Sequence, residues 1–170
     1  MTTLKAEKRS MDVKAKKLRR EGFVTGNLFG REIEGSIPLK FTKKEIEVLL
    51  KNNNKGSQVM LELDGKTYDA LIKEVDYNPL AHTVEEVDFQ ALVSNEMVHS
   101  TAEIILENEE KVMSGVLQDE LKEVAYKALP ADLVDKIKVD VAGMKIGDTL
   151  RVKDLEIAKN KNIHITTDPE

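Results

Sequence analysis

From Phe23 onward the chain alternates apolar and polar residues with a period of two, the spacing that turns successive side chains to opposite faces of a strand. Strands need partners, so this pattern commits most of the chain to sheets, and the expected fold class is mainly β with a few short helices. Ile33, Gly35, Ile37, Leu39 and Phe41 alternate with Glu34, Ser36, Pro38 and Lys40, which predicts one half-buried strand. Pro38 has no N–H to give a ladder, so that strand is expected at an edge or with a bulge. Thr42 followed by Glu45 makes a capping box, and a helix should run from there to the Asn52-Asn53-Asn54 loop, burying Ile46, Leu49 and Leu50. Val59, Leu61 and Leu63 lead into Asp64-Gly65, the pair a type I′ turn prefers, and Tyr68, Ala70 and Ile72 complete a hairpin. After the break at Asn78-Pro79, Val84 to Leu92 form another strand, with Val87, Phe89 and Ala91 on one face and Glu86, Asp88 and Gln90 on the other.

Six of the seven aromatic residues precede residue 90, and only Tyr126 follows. That step in composition places a domain boundary near Val93-Ser94-Asn95, dividing the chain into residues 1–93 and 94–170. Beyond it, short alternating stretches recur at Val98, Ala102 and Ile104, at Val124, Tyr126 and Ala128, and at Ile137, Val139 and Val141. Turn signals at Pro130, Gly143 and Gly147 separate them, so the second domain is expected to be small and β-rich.

The net charge of −5 is an average over two unlike parts. Residues 1–44 carry twelve Lys and Arg against five Asp and Glu, a net of +7, and the remainder carries −12. Most of the excess lies between Lys5 and Arg20, where eight basic residues face two acidic ones. Met11, Ala15 and Leu18 give a narrow apolar stripe if residues 11–21 are helical, with Gly22 as the stop. Lys14, Lys16, Lys17, Arg19 and Arg20 cover the rest, so the expectation is a basic arm that needs packing or an anionic partner to hold it. A solvated basic face is the plain alternative. Density at one place favours phosphates, each contact adding a salt-dependent increment, and the bulky apolar face of a membrane-surface helix is missing.

Other classes find little support. With no cysteine there is no disulfide framework and no thiolate metal site. His82, His99 and His164 lack metal-ligand spacing, Glu85 and Glu86 point to opposite strand faces, and neither a phosphate-cradling Gly-rich loop nor a Gly-x-Ser-x-Gly elbow occurs. No enzyme, cofactor, metal or small-molecule substrate is therefore expected. No apolar run approaches the ~18 residues of a membrane span, and the start Met1-Thr2-Thr3-Leu4-Lys5 lacks the apolar core of a secretory signal, so a cytosolic location is expected.

Lys5-Ala6 with Arg9, Leu18-Arg19-Arg20-Glu21-Gly22, Phe29-Gly30 and Val87-Asp88-Phe89-Gln90 resemble, in order, the bacterial large-subunit ribosomal protein family that binds 5S rRNA, the twenty-fifth of its subunit and also called general stress protein Ctc. The resemblance continues through Gly115-Val116-Leu117-Gln118, Leu129-Pro130-Ala131-Asp132, Ile137 to Val141, Ile146 to Leu150, Lys153-Asp154-Leu155 and Thr167-Asp168-Pro169, matching the longer two-domain form. It implies an N-terminal β-barrel on the loop E region of 5S rRNA in the 50S central protuberance, neighbouring ribosomal proteins as further partners, and a β-rich C-terminal domain. Arg9, Arg19 and Arg20 match the family's basic contacts, Phe29 takes the place of its usual tyrosine, and Asp88 matches its acidic strand residue.

Three positions depart from the family. Thr25 replaces the usual proline, Phe29 lacks the phenolic hydroxyl but can still stack or pack, and Glu86 stands where relatives often carry histidine. The chain also stops at Glu170, short of the apolar segment many long relatives have. The wide, shallow minor groove of an RNA duplex displays 2′-hydroxyls and base edges, so a sheet face can lie against it. Arg9, Lys14, Lys16, Arg19 and Arg20 would then hold phosphates. Asp88 and Gln90, on one strand face, would read donors, the alternative for Asp88 being a solvated or ion-paired residue. A competing expectation is a protein-binding module whose basic arm docks an acidic partner.

Overall fold

The computed structural model describes residues 2–108, 121–145 and 147–167; the matches at 115–118, at Ile146 and at Asp168-Pro169 lie outside the described residues. The chain divides into two compact units, Met1–Glu96 and Met97–Glu170.

The first unit is a closed barrel of six strands: β1 (Thr2–Lys8), β2 (Phe23–Phe29), β3 (Ser36–Thr42), β4 (Gln58–Leu63), β5 (Lys66–Asn78) and β6 (Thr83–Ala91). Their order around the barrel is β1-β3-β2-β6-β5-β4, closed by the parallel pairing of β1 with β4. The inward set of the period-two pattern fills it: Val24, Leu28, Leu39, Phe41, Val59, Leu61, Ile72, Val87 and Phe89 are all buried in one cluster. Phe41 and Phe89 meet within it with ring centroids 5.5 Å apart. Helix α2 (Lys43–Asn52) adds Ile46 and Leu49 to the same cluster. It starts as expected, the Thr42 hydroxyl accepting from the Glu45 N–H at 3.3 Å. Asp64 and Gly65, both at positive φ, form the turn of the β4–β5 hairpin.

Three local expectations are corrected. The basic segment expected from Lys5 onward does not begin as an arm. Leu4 and Ala6 are buried and alternate with exposed Thr3, Lys5 and Glu7, so β1 is a barrel strand, and Lys8 pairs with Asp64 at 3.3 Å. The strand expected from Ile33 begins only at Ser36, because a turn occupies the residues before it, although Ile33 still packs on the core. Nor is β3 an edge strand, since it pairs with β2 along its length and with β1 at Lys40 and Leu39. Pro38 sits where the β1–β3 ladder stops. Its carbonyl still accepts from the Arg9 N–H at 3.0 Å, and the missing N–H ends the pairing there.

The second unit holds a four-stranded sheet, order β10-β8-β7-β9, made of β7 (Val98–Glu107), β8 (Glu123–Ala128), β9 (Lys136–Asp140) and β10 (His164–Ile165). Short helix α3 (Glu156–Lys159) follows β9 in the chain, and Val152, Leu155, Ile157 and Ile163 join the sheet's buried face. Tyr126, fully buried on β8, clamps the chain after Pro130. Its hydroxyl accepts from the Val134 N–H at 2.7 Å and donates to the Val134 carbonyl at 2.6 Å. Tyr126→Phe keeps the ring and leaves both backbone groups without that partner, so it is expected to destabilise this unit by about 1–3 kcal/mol in urea unfolding.

Candidate nucleic-acid interface

Helix α1 spans Ala15–Arg20, shorter than the sequence pattern implied. Met11 is 68% exposed and lies outside the helix, so the three-residue stripe reduces to Leu18, the one buried side chain of α1. Lys14 is the N-cap residue, and Gly22, at φ +91, ends the turn as expected, donating to the Arg19 carbonyl. A helix of six residues has no stability of its own. It is held by Leu18 beneath it and by Arg19, whose Nε donates to the Glu85 carbonyl and whose Nη2 donates to the Thr25 hydroxyl, both at 3.1 Å. Lys17, Arg19 and Arg20 in the last turn also suit the negative end of the helix dipole.

Lys14, Lys16, Lys17 and Arg20 are exposed and, with Asp12 and Val13, border one shallow depression. Arg9, just past β1, is partly buried, its Nη2 donating to the Val13 carbonyl at 3.4 Å while its Nε has no partner. The five basic residues picked out in the sequence therefore divide. Lys14, Lys16 and Arg20 present charge outward, Arg19 is bonded to the barrel's outer wall, and Arg9 turns back to the Val13 carbonyl.

That wall is the outward face of β2, β6 and β5. Across β2 and β6 the register pairs Thr25 with Glu86, Asn27 with Asp88 and Phe29 with Gln90, and across β6 and β5 it pairs Glu86 with Asp76 and Asp88 with Glu74. Asp88 and Gln90 thus share a face, as expected, and Phe29 lies on that face too, all three partly buried. The side chain that ties Asp88 to Glu86 is one that the sequence pattern does not single out. Asn27 donates from Nδ2 to both Glu86 Oε1 and Asp88 Oδ1, each at 3.3 Å. It was legible as a polar residue between inward-facing Gly26 and Leu28, but nothing in the sequence alone told which carboxylates it would face.

Partial burial raises the Glu86 carboxyl above its usual range, with Asp88 and Asp76 adding to the shift and Arg19 and Arg9 opposing it. Asp88 is raised as well, chiefly by burial, against the lowering effect of its bonds to Asn27. An acid whose pKa is higher folded than unfolded binds more protons in the folded state, so its penalty appears as pH rises past the carboxylate range. Glu86→Gln is therefore expected to stabilise the barrel at pH 7. That gain should fade below about pH 4, where glutamate is itself protonated; paired urea titrations at the two pH values check this.

The arrangement is cationic at α1 and acceptor-rich along the adjoining strands. Among the described residues, no group of three or more histidine, cysteine or acidic side chains has the geometry to hold a metal ion.

Comparison with known proteins places this architecture. Residues 4–89, the barrel, match the model of the Ribosomal L25p family, and residues 97–170 match that of the C-terminal domain of ribosomal protein TL5. A large ribosomal subunit protein bL25 from Carboxydothermus hydrogenoformans is 32% identical over 173 residues, covering 96% of this chain and 85% of the relative. The bL25 of Bacillus velezensis is 30% identical over 175 residues, 100% of this chain and 85% of the relative. That of a Thermoanaerobacter species is 29% identical over 158 residues, 92% and 78% respectively. With both units matched in order across the chain, this protein belongs to the ribosomal L25p family, in a form that also carries the TL5-type C-terminal domain.

Proposed function

We infer that this chain is a structural, non-enzymatic constituent of the large ribosomal subunit and that its barrel binds 5S rRNA in the loop E region. The observation that carries the reading is the placement of α1. Four exposed cations stand on one six-residue helix and its cap, anchored beside the strand face that bears Asp88 and Gln90. Phosphate contacts from Lys14, Lys16, Lys17 and Arg20 set orientation without reading sequence. A carboxylate such as Asp88 is repelled by phosphate, and it gains only where it accepts from a base amino group or a 2′-hydroxyl of the shallow minor groove. Gln90 adds a side chain that both donates and accepts, and the Phe29 ring offers a stacking surface.

Filter binding of the purified protein to a 5S rRNA fragment tests this. Tight binding at low salt that weakens steeply as salt rises is expected, and no measurable affinity at low salt would overturn it. The division of charge supports the same reading, because residues 94–170 hold ten basic against sixteen acidic residues and would be kept off phosphates.

A further inference from the structure

Thr25 is fully buried although it sits on the outward face of β2, between core-facing Val24 and Gly26. Its hydroxyl is used twice, accepting from Arg19 Nη2 at 3.1 Å and donating to the Glu85 carbonyl at 3.3 Å. Arg19 Nε reaches the same carbonyl at 3.1 Å. Helix α1, strand β2 and the start of β6 therefore meet in one closed triangle of hydrogen bonds. Leu18 is the one buried side chain of α1.

We propose that Thr25 is a positioning residue of the RNA interface: its hydroxyl locks Arg19 to β6 and so fixes α1 and its cations in the orientation that meets phosphates. The proposal rests on reading α1 as the RNA-binding element. Arg19 acts in it mainly as a strut, although a guanidinium keeps further N–H donors beyond the two spent on the barrel.

The distinguishing consequence is in the salt dependence. A residue that contacts phosphate adds its own increment to the log–log slope. A residue that orders the helix changes only the fraction of molecules ready to bind, which lowers affinity at every salt concentration alike. Thr25→Val keeps the shape, suits a strand and removes the hydroxyl. It is expected to weaken 5S rRNA binding by about tenfold, the scale of one hydrogen bond to a charged group, with the salt slope unchanged. Thr25→Ser restores the hydroxyl and should bind like the parent.

Binding by Thr25→Val as tight as the parent's would overturn the proposal. So would a slope reduced by the ~0.7–0.9 of one lost phosphate contact. Hydrogen exchange on the free protein separates this from the functional reading. Faster exchange of the α1 amides in Thr25→Val, with barrel amides unchanged, supports the strut even if the parent fails to bind 5S rRNA, and unchanged α1 exchange rejects it.

Discussion

Replacing Lys14, Lys16, Lys17 and Arg20 together by glutamine is expected to abolish most of the affinity for 5S rRNA. If each cation neutralises one phosphate, each contributes roughly 0.7–0.9 to the slope of log affinity against log salt, so the four together contribute about 3. Such contacts lose their advantage near 1 M salt, and one decade of dilution to about 0.1 M then corresponds to about a 10³-fold loss in the variant. All four side chains are exposed, and neither Leu18 nor Arg19 is touched. Barrel stability should therefore match the parent's, and the loss should fall on binding alone. Titrations of both proteins over a range of salt concentrations check the affinity and the slope. A variant that loses affinity while keeping the parent slope would mean that these cations do not meet phosphates.

Gly26→Ala is expected to produce the largest loss of stability, about 3 kcal/mol or more. Gly26 faces the barrel interior on β2, opposite Val87 on β6. A methyl group there would penetrate the Val87 carbonyl oxygen and approach the Phe41 ring edge to 3.1 Å. The obstacle is backbone, which cannot rotate aside as a side chain tip can, so β2 and β6 must separate. Those two strands carry Thr25, Asn27, Phe29, Asp88 and Gln90, and the wall proposed to face RNA should be disrupted with the core. Urea unfolding measures the loss. A variant as stable as the parent would show that the close approach at Gly26 can relax, and that the barrel tolerates a wider β2–β6 spacing.

Most of the fold was legible because its signals are local. The Asp64-Gly65 turn, the Thr42 cap and the alternation at Val87 and Phe89 each need only neighbouring residues to be recognised. The errors came where tertiary pairing overrode a local reading. Basic residues from Lys5 onward drew attention to charge, yet Leu4 and Ala6 carry the period-two signal that makes Thr2–Lys8 a strand. Pro38 pointed to an edge or a bulge, but a ladder can end at a proline inside a closed barrel when the partner strand ends there too. Helix α1 was overextended because Met11 fits a helical spacing without having anything to pack against.

At the site, the cations and the shared face of Asp88 and Gln90 could be seen in advance. The roles of Thr25 and Asn27 could not. Each depends on a partner about sixty positions away, Glu85 for Thr25 and Glu86 with Asp88 for Asn27, brought alongside only by the parallel β2–β6 pairing. By its type and neighbours, Arg19 reads in the sequence as a phosphate ligand. Its engagement with Thr25 and Glu85 follows from the same long-range pairing, and in the proposed interface the phosphate contacts are assigned to Lys14, Lys16, Lys17 and Arg20.

The central claim is that the barrel recognises 5S rRNA rather than any polyanion. A competition titration tests it most directly, with the protein bound to a labelled 5S rRNA loop E fragment and challenged by unlabelled 5S fragment or by an unrelated RNA duplex of equal length at the same salt. The expected result is displacement by the 5S fragment at concentrations where the unrelated duplex displaces little. Equal displacement by the two would contradict the account, leaving α1 as a general basic surface open to an acidic protein partner.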